Sequence, residues 1–381
     1  MFFVRRLIRQ FLKHQAGIHT PDFFFLGVAG AILFFGLIML SSASSAYGYT
    51  HFGDSYYYLK HQLVSIVIGL GAWFFFARID YHNWKRYAVL FLFSSFFLLI
   101  LVFIPGLSAH YGKARSWINI FGYSLQPSEL VKLSFLVYLA AWLERRGQQL
   151  VKSRQGLISF ISVFSFIAFL MILQPDLGTL LIIGAVSLII YFVAGGRVRH
   201  IAGIITVGLV GIFILLNLNT YQMDRIKCVL DADYSPSDKC YQINQSLLAV
   251  GSGGLWGRGL GASRQKYMYL PEVYGDAIFA IIGEEMGFFF SVGLVLAYFY
   301  LFYRGLRIAR SAPDKFGLYL GTGISAWIFL QAALNIGGMI NLIPMTGVPL
   351  PLVSYGGTAI LAVMSGLGIM TNISRQTRLG R

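Results

Sequence analysis

Charge is what this sequence has least of. Only 12% of its 381 residues are charged, where soluble domains average about 25%. That shortfall excludes an ordinary water-soluble globule. Acids are scarcest: 15 Asp and Glu stand against 30 Lys and Arg, a formal charge of +15. Two cysteines exclude a disulfide-rich scaffold, and no CxxC pair suggests a thiolate metal site. No secretory leader with a cleavage site is visible, so the first apolar run is expected to stay in the membrane. What fills the chain instead is apolar, 57% of it hydrophobic, with 33 Phe and 22 Tyr. Lipid is the solvent that suits such a chain. The basic excess then belongs on loops and headgroups, and no nucleic acid is expected.

A helix needs about 20 apolar residues to cross roughly 30 Å of hydrocarbon. Ten segments qualify: 22–43, 60–78, 86–106, 127–143, 157–173, 177–195, 200–218, 276–303, 316–340 and 355–373. The fold expected is all-α and polytopic, with about ten transmembrane helices and a large extracytoplasmic loop over 219–275. Only Leu173-Gln174-Pro175-Asp176 separates the fifth and sixth segments, and the proline forces a break there. Basic residues recur on alternate connections: Arg5, Arg6, Arg9 and Lys13; Lys85 and Arg86; Arg145 and Arg146; Arg197 and Arg199; Arg304, Arg307 and Arg310; and Arg375. The positive-inside rule then places both termini in the cytoplasm. Met1–Lys13 puts Phe2, Phe3, Leu7 and Phe11 on one helical face, which suits an interfacial helix or a plain basic tail. The chain divides into a basic segment at 1–20, a membrane domain at 21–375 and a short tail at 376–381.

Chemistry concentrates on the other side. Gln126-Pro127-Ser128-Glu129 and Gln174-Pro175-Asp176 both read as helix starts, with proline in the first turn and an acid at the positive dipole end. Glu129 and Lys132 are three apart and can pair on one helix face. Lys113, Arg115, Arg225, Arg258 and Lys266 fall in external loops, either as solvated charge or as an anion site. The glycine-rich run from Gly251 to Gly261 follows no strand, which excludes a Rossmann or P-loop reading. Its glycines would allow the loop to wrap a polar ligand. Asp276 either caps the eighth span or stands at its mouth. Glu284 and Glu285 lie about 12–13 Å deeper, where carboxylates need partners or protons. Pro344, Pro349 and Pro351 with Ser354-Tyr355-Gly356-Gly357 imply non-helical backbone at membrane depth, tolerated only when buried or lining a wet cavity. A reaction site on the outer leaflet is the economical reading.

Together these segments resemble the SEDS family (shape, elongation, division, sporulation), whose members include FtsW, RodA and SpoVE. The resemblance covers roughly 22–373. It rests on Lys113-Ala114-Arg115-Ser116-Trp117, the two Gln-Pro motifs and Tyr269-Leu270-Pro271-Glu272 with Asp276. Gly283-Glu284-Glu285-Met286-Gly287 and Pro349 to Gly357 complete it. Leu255-Trp256-Gly257 through Lys266, with Arg304 to Ala309, is similar to FtsW more than to RodA. The resemblance implies a peptidoglycan glycosyltransferase that polymerises lipid II at the outer face of the cytoplasmic membrane during cell division. It implies a class B penicillin-binding protein and other divisome membrane proteins as partners. The family's proposed catalytic Asp falls on Asp276, and its cavity-lining residues on Arg115, Glu129, Lys132 and Asp176; Glu284, Glu285, Ser354 and Tyr355 would help to shape that cavity. A lipid II flippase and an elongation-type polymerase are the alternatives. Two departures stand out: Tyr274-Gly275 replaces the family's His-Thr or His-Asn before the Asp, and Cys228 and Cys240 occur where the family generally has none. Outside the cytoplasm those two are either disulfide-bonded or two buried thiols.

The chemistry expected is attack of a sugar hydroxyl on an anomeric carbon with lipid pyrophosphate leaving. Asp276 would be the general base. Arg115, Arg225, Arg258 and Lys266, with Lys113, would hold the pyrophosphate. The sequence makes no cofactor certain and does not decide whether a divalent cation (Mg or Mn) held by Asp276 shares that role.

Overall fold

The computed structural model describes residues 19–104, 108–111, 114–120, 123–151, 153–218, 220–231, 234–235 and 238–377. The interfacial helix expected in the first residues, Lys113 and the final four residues lie outside that set.

Every one of the ten expected spans is a helix. The chain runs α1 (Phe23–Ala43), α2 (Ser45–Phe52), α3 (Tyr57–Arg78), α4 (His82–Arg86) and α5 (Ala88–Leu101). Next come three short strands, β1 (Ser108–Tyr111), β2 (Ala114–Ile120) and β3 (Tyr123–Leu125), paired antiparallel in that order. Then follow α6 (Pro127–Val151), α7 (Arg154–Leu173), α8 (Leu177–Val193), α9 (Val198–Leu218), α10 (Thr220–Leu230), α11 (Tyr241–Ser252), α12 (Ile278–Arg310), α13 (Lys315–Met339) and α14 (Gly357–Arg375). Among the described residues six helices are long and apolar enough to cross a membrane, and α5, α8 and most of α9 are shorter apolar helices. α6 has the length, 25 residues, but carries Glu129, Lys132, Glu144, Arg145 and Arg146.

Burial sorts the helices into a centre and a rim. Most residues of α13 and α14 are buried, among them Trp327, Gln331, Asn335 and Thr371. α14 packs along α3, and α13 against α12, α8 and α6. The helices α1, α3, α5 and α9 turn large apolar side chains outward, such as Phe34, Phe74, Phe93 and Phe213. Without water to cover them, such faces match hydrocarbon, and polar side chains are left to the interior. The molecule is a polytopic all-α membrane protein.

Two helices depart from regular geometry, α6 near its end at Gly147, with φ 69 and ψ 165, and α12 in its interior. Inside α12, Gly287 takes φ 78 and ψ −172, so the helix is broken there. Backbone groups freed in a membrane span must find partners, and the loop preceding α12 supplies them. Arg258 N–H donates to Glu284 O at 3.0 Å, and Gly259 N–H to Glu285 O at 3.0 Å. On the far side of the break, Phe288 and Phe289 N–H donate to Gly254 O and Leu255 O at 2.9 and 3.3 Å. The approach leaves no room for side chains: a Cβ at Gly257 would lie 2.2 Å from Glu285 O, and one at Gly287 would lie 2.2 Å from Gly257 N. Both glycines also sit at positive φ, 80 and 78. The glycine run read as a ligand wrap is instead a plug for the protein's own helix.

Candidate active site

The loop is held in that break by charges. Glu284 accepts from Ser263 Oγ at 2.6 Å and from the Arg264 N–H at 2.9 Å, with Arg258 Nη1 3.6 Å away. Glu285 accepts from Ser42 Oγ of α1 at 2.7 Å and from Lys266 Nζ at 3.0 Å. Lys266 is 3% exposed and also donates to Gly261 O at 2.6 Å. Of the two loop cations expected to bind pyrophosphate, the structure places Lys266 in a buried ion pair and leaves Arg258 partly exposed beside Glu284. A buried ammonium matched to a buried carboxylate is committed to that pair, and Arg258 lies against Glu284 and Ser252 O. The two deep carboxylates thus have partners, and those partners are the cations expected elsewhere.

Asp276 lies in the turn that enters α12, one residue before its N-cap, Ala277. That helix begins at Ile278 with no side-chain cap, so Asp276 is not its cap. The carboxylate is half-buried, and its Oδ1 is buried with no hydrogen-bond partner. Its position is fixed through the backbone. Asn335 of α13 donates from Nδ2 to Asp276 O at 2.8 Å and to Val348 O at 2.9 Å. Asp276 Oδ2 lies beside Gly347. Arg225 of α10 donates from Nη1 to Met345 O at 2.8 Å, and its charge reaches Asp276. Burial pushes the Asp276 carboxyl up to about 7, nearby Glu272 adds to the rise, and Arg225 opposes it. Thr346 also packs on the start of α8, where a Cβ at Gly178 would lie 2.7 Å from its carbonyl oxygen. The 344–350 segment therefore joins Asp276, Arg225 and α8.

Beneath it lies the Glu129 and Lys132 pair. Lys132 Nζ is 2.6 Å from Glu129 Oε1 and 2.6 Å from Gln331 Oε1, and all three side chains are buried. Gln331 also accepts from Trp327 Nε1 at 2.8 Å and donates to Pro349 O at 2.9 Å. Glu129 Oε2 has no partner. Asp176 caps α8 through the Thr179 N–H at 3.1 Å and accepts from Ser128 Oγ at 2.8 Å, joining the two Gln-Pro helix starts. Ser354 closes its own loop by accepting from the Leu350 N–H at 2.8 Å. Tyr355 N–H donates to Tyr274 O at 2.9 Å, which ties the proline-rich segment to the turn before Asp276. Arg115 lies on β2. Cys228 of α10 and Cys240 are disulfide-bonded, with Cα atoms 5.5 Å apart. They fasten α10 beside α11, and the two helices wall an open cavity of about 390 Å³ with Arg225, Asp224 and Lys239 in its lining.

The family model described as cell cycle protein, for FtsW, RodA and SpoVE, matches residues 23–379. The chain belongs to that family. It is 39% identical to stage V sporulation protein E of Bacillus subtilis over 94% of this chain and 98% of that one. It is 36% identical to a probable peptidoglycan glycosyltransferase FtsW of a Geobacter species over 94% and 97%. Among solved structures, it superposes with a TM-score of 0.76 and 26% identity on a chain of a peptidoglycan synthase complex studied for its coordination of polymerization and crosslinking. That match covers 93% of this chain and 98% of the other. The rod shape determining protein RodA of Thermus thermophilus gives 0.68 and 26%, over 94% and 98%.

Within this FtsW/RodA/SpoVE architecture, sequence reasoning missed Asn335 and Gln331. They are four apart on an otherwise apolar helix, and that spacing on one face was the available signal. It also missed an aromatic group: Tyr274 stacks on Tyr58 at 4.1 Å, and Tyr47 and Tyr355 lie 5.1 and 6.1 Å from Tyr274. Tyr274 thus replaces the family's usual histidine with a ring packed among tyrosines and hydrogen-bonded to Tyr58 and Glu272. No cluster of three or more His, Cys, Asp or Glu able to hold a metal occurs among the described residues. The chain's own donors therefore build no cage at Asp276, and a divalent cation there would take its other ligands from water and substrate phosphates.

Proposed function

We propose that this chain polymerises lipid II into peptidoglycan glycan strands, with Asp276 as the general base. The observation that carries the proposal is a half-buried carboxylate with an unpartnered Oδ1, held through its backbone by Asn335 and faced by Arg225. The family membership and relatives named as probable peptidoglycan glycosyltransferases support the reaction class.

In the proposed step, the acceptor sugar hydroxyl loses its proton to Asp276 as its oxygen attacks the anomeric carbon of the second sugar. The bond from that carbon to the lipid pyrophosphate breaks, and the pyrophosphate leaves with the electron pair. General-base assistance of this kind contributes about 10²–10⁴-fold. A guanidinium at the leaving group stabilises the developing charge, and Arg225, whose charge reaches Asp276, is the candidate among the described side chains. Glu129, Lys132 and Asp176 shape the polar floor. The partner proposed is a class B penicillin-binding protein, supported by the likeness to the peptidoglycan synthase complex. The location proposed is the division septum, with the Asp276 end outside and both termini in the cytoplasm, supported by the basic connections at the opposite end.

The test is polymerisation of purified lipid II by the chain with its partner. Asp276→Ala should insert and purify normally yet lose activity by at least about 10². Glycan strands at the parental rate would overturn the assignment of Asp276.

A further inference from the structure

The end of the molecule away from Asp276 holds a second cavity that the proposed reaction does not use. α12 starts beside Asp276 and runs to Arg310, so its far end lies at the opposite membrane face. There the cavity, about 390 Å³, is bounded by the start of α1 (Asp22, Phe23, Phe24), by Arg304 and Arg307 of α12, and by Ser374 and Thr377 at the end of α14. Its one carboxylate is already satisfied. Asp22 Oδ1 accepts from the Phe25 N–H at 3.0 Å, and Oδ2 takes Arg304 Nε at 2.7 Å. That contact uses one edge of the Arg304 guanidinium, whose carbon sits 5.5 Å from the Phe24 ring centre. Arg307 is exposed and has no acceptor among the described residues. The sequence preceding His19 adds Arg5, Arg6, Arg9 and Lys13, further positive charge rather than an internal anion.

The surroundings say what kind of anion fits. Leu296, Phe299 and Tyr303 are exposed on α12 at helical spacing, and that stripe ends at Arg307, one turn beyond Tyr303. Phe23 and Phe24 are exposed on the opposite wall. Apolar and aromatic side chains therefore lead from the lipid-facing surface directly to two guanidinium groups. We propose that this cavity binds the phosphate headgroup of an acidic phospholipid, with Arg307 and the open edge of Arg304 on the phosphate and the acyl chains along Leu296, Phe299 and Tyr303. A planar fork of donors suits a phosphodiester, and the apolar approach favours a lipid over a free anion.

The experiment measures lipid carried by the full-length protein purified in detergent, by native mass spectrometry after exposure to phosphatidylglycerol, phosphatidylcholine or inorganic phosphate. Phosphatidylglycerol should be retained in preference to phosphatidylcholine. Arg307→Ala should lower that retention about fivefold, the worth of one base near an anionic surface, and Arg307→Lys should recover part of it. Arg310→Ala, one turn further on and outside the cavity lining, should leave it unchanged. Because Arg307 is exposed and unpaired, its loss should not disturb folding. Equal retention of both lipids, or no effect of Arg307→Ala, overturns the proposal. Displacement of the lipid by millimolar inorganic phosphate overturns the lipid assignment in favour of a free-anion site.

Discussion

Adding one methyl group at Gly257 should weaken the protein more than the same change two residues further on, at Gly259. Gly257 is at φ 80, where a non-glycine residue pays about 1–2 kcal/mol. Its new Cβ would start 2.2 Å from Glu285 O, so the loop must retreat from the break in α12. Retreat stretches the bonds from Arg258 N–H to Glu284 O and from Gly259 N–H to Glu285 O, each worth about 1 kcal/mol net. Strain and lost bonds together give a loss of about 3–4 kcal/mol. Gly259→Ala is the matched control: its φ is 102, but nothing lies within 4 Å of its Cβ position, so only the backbone strain applies. Thermal unfolding of the purified proteins in detergent can be followed through Trp256, whose ring sits 4.9 Å from Phe289 beside the break. Gly257→Ala should melt well below Gly259→Ala. If the two variants melt together, the loop is not packed into the break as described.

Two further outcomes are expected. A general base must be ionised, and burial pushes the Asp276 carboxyl up to about 7. Polymerisation should therefore climb with pH through that value and level off above it. Glu272 contributes to the rise, so Glu272→Gln should move the midpoint of the pH–rate profile down; an unmoved or higher midpoint refutes the electrostatic link. Cys228 and Cys240 close a loop of sequence separation 12, so reduction, or Cys228→Ser with Cys240→Ser, should cost about 3 kcal/mol in the chain-entropy model. Melting curves that coincide with and without reductant would remove the disulfide from the account.

The spans were the most legible part of the sequence. Hydrocarbon demands runs of a set length, and Phe23–Ala43 or Gly357–Arg375 declare themselves by composition. The Glu129 and Lys132 contact was equally local, three residues apart on one helix. Long-range partners were not legible. Nothing near Lys266 announces that Glu285 and Ser42 will enclose it, and a base in a glycine-rich loop reads the same whether it meets a phosphate or its own helix. The glycines themselves carried the signal of close approach, but the partner backbone lay some thirty residues further on. The strands between Ser108 and Leu125 lacked the apolar alternation that marks a half-buried sheet.

The plugged break in α12 bears on how the chain folds. Without the docked loop, the carbonyls of Glu284 and Glu285 and the amides of Phe288 and Phe289 keep partners in a bilayer only if the span stays an unbroken helix. The break at Gly287 and the docking of the loop therefore form together. Docking of this loop and shaping of this span are then a single event.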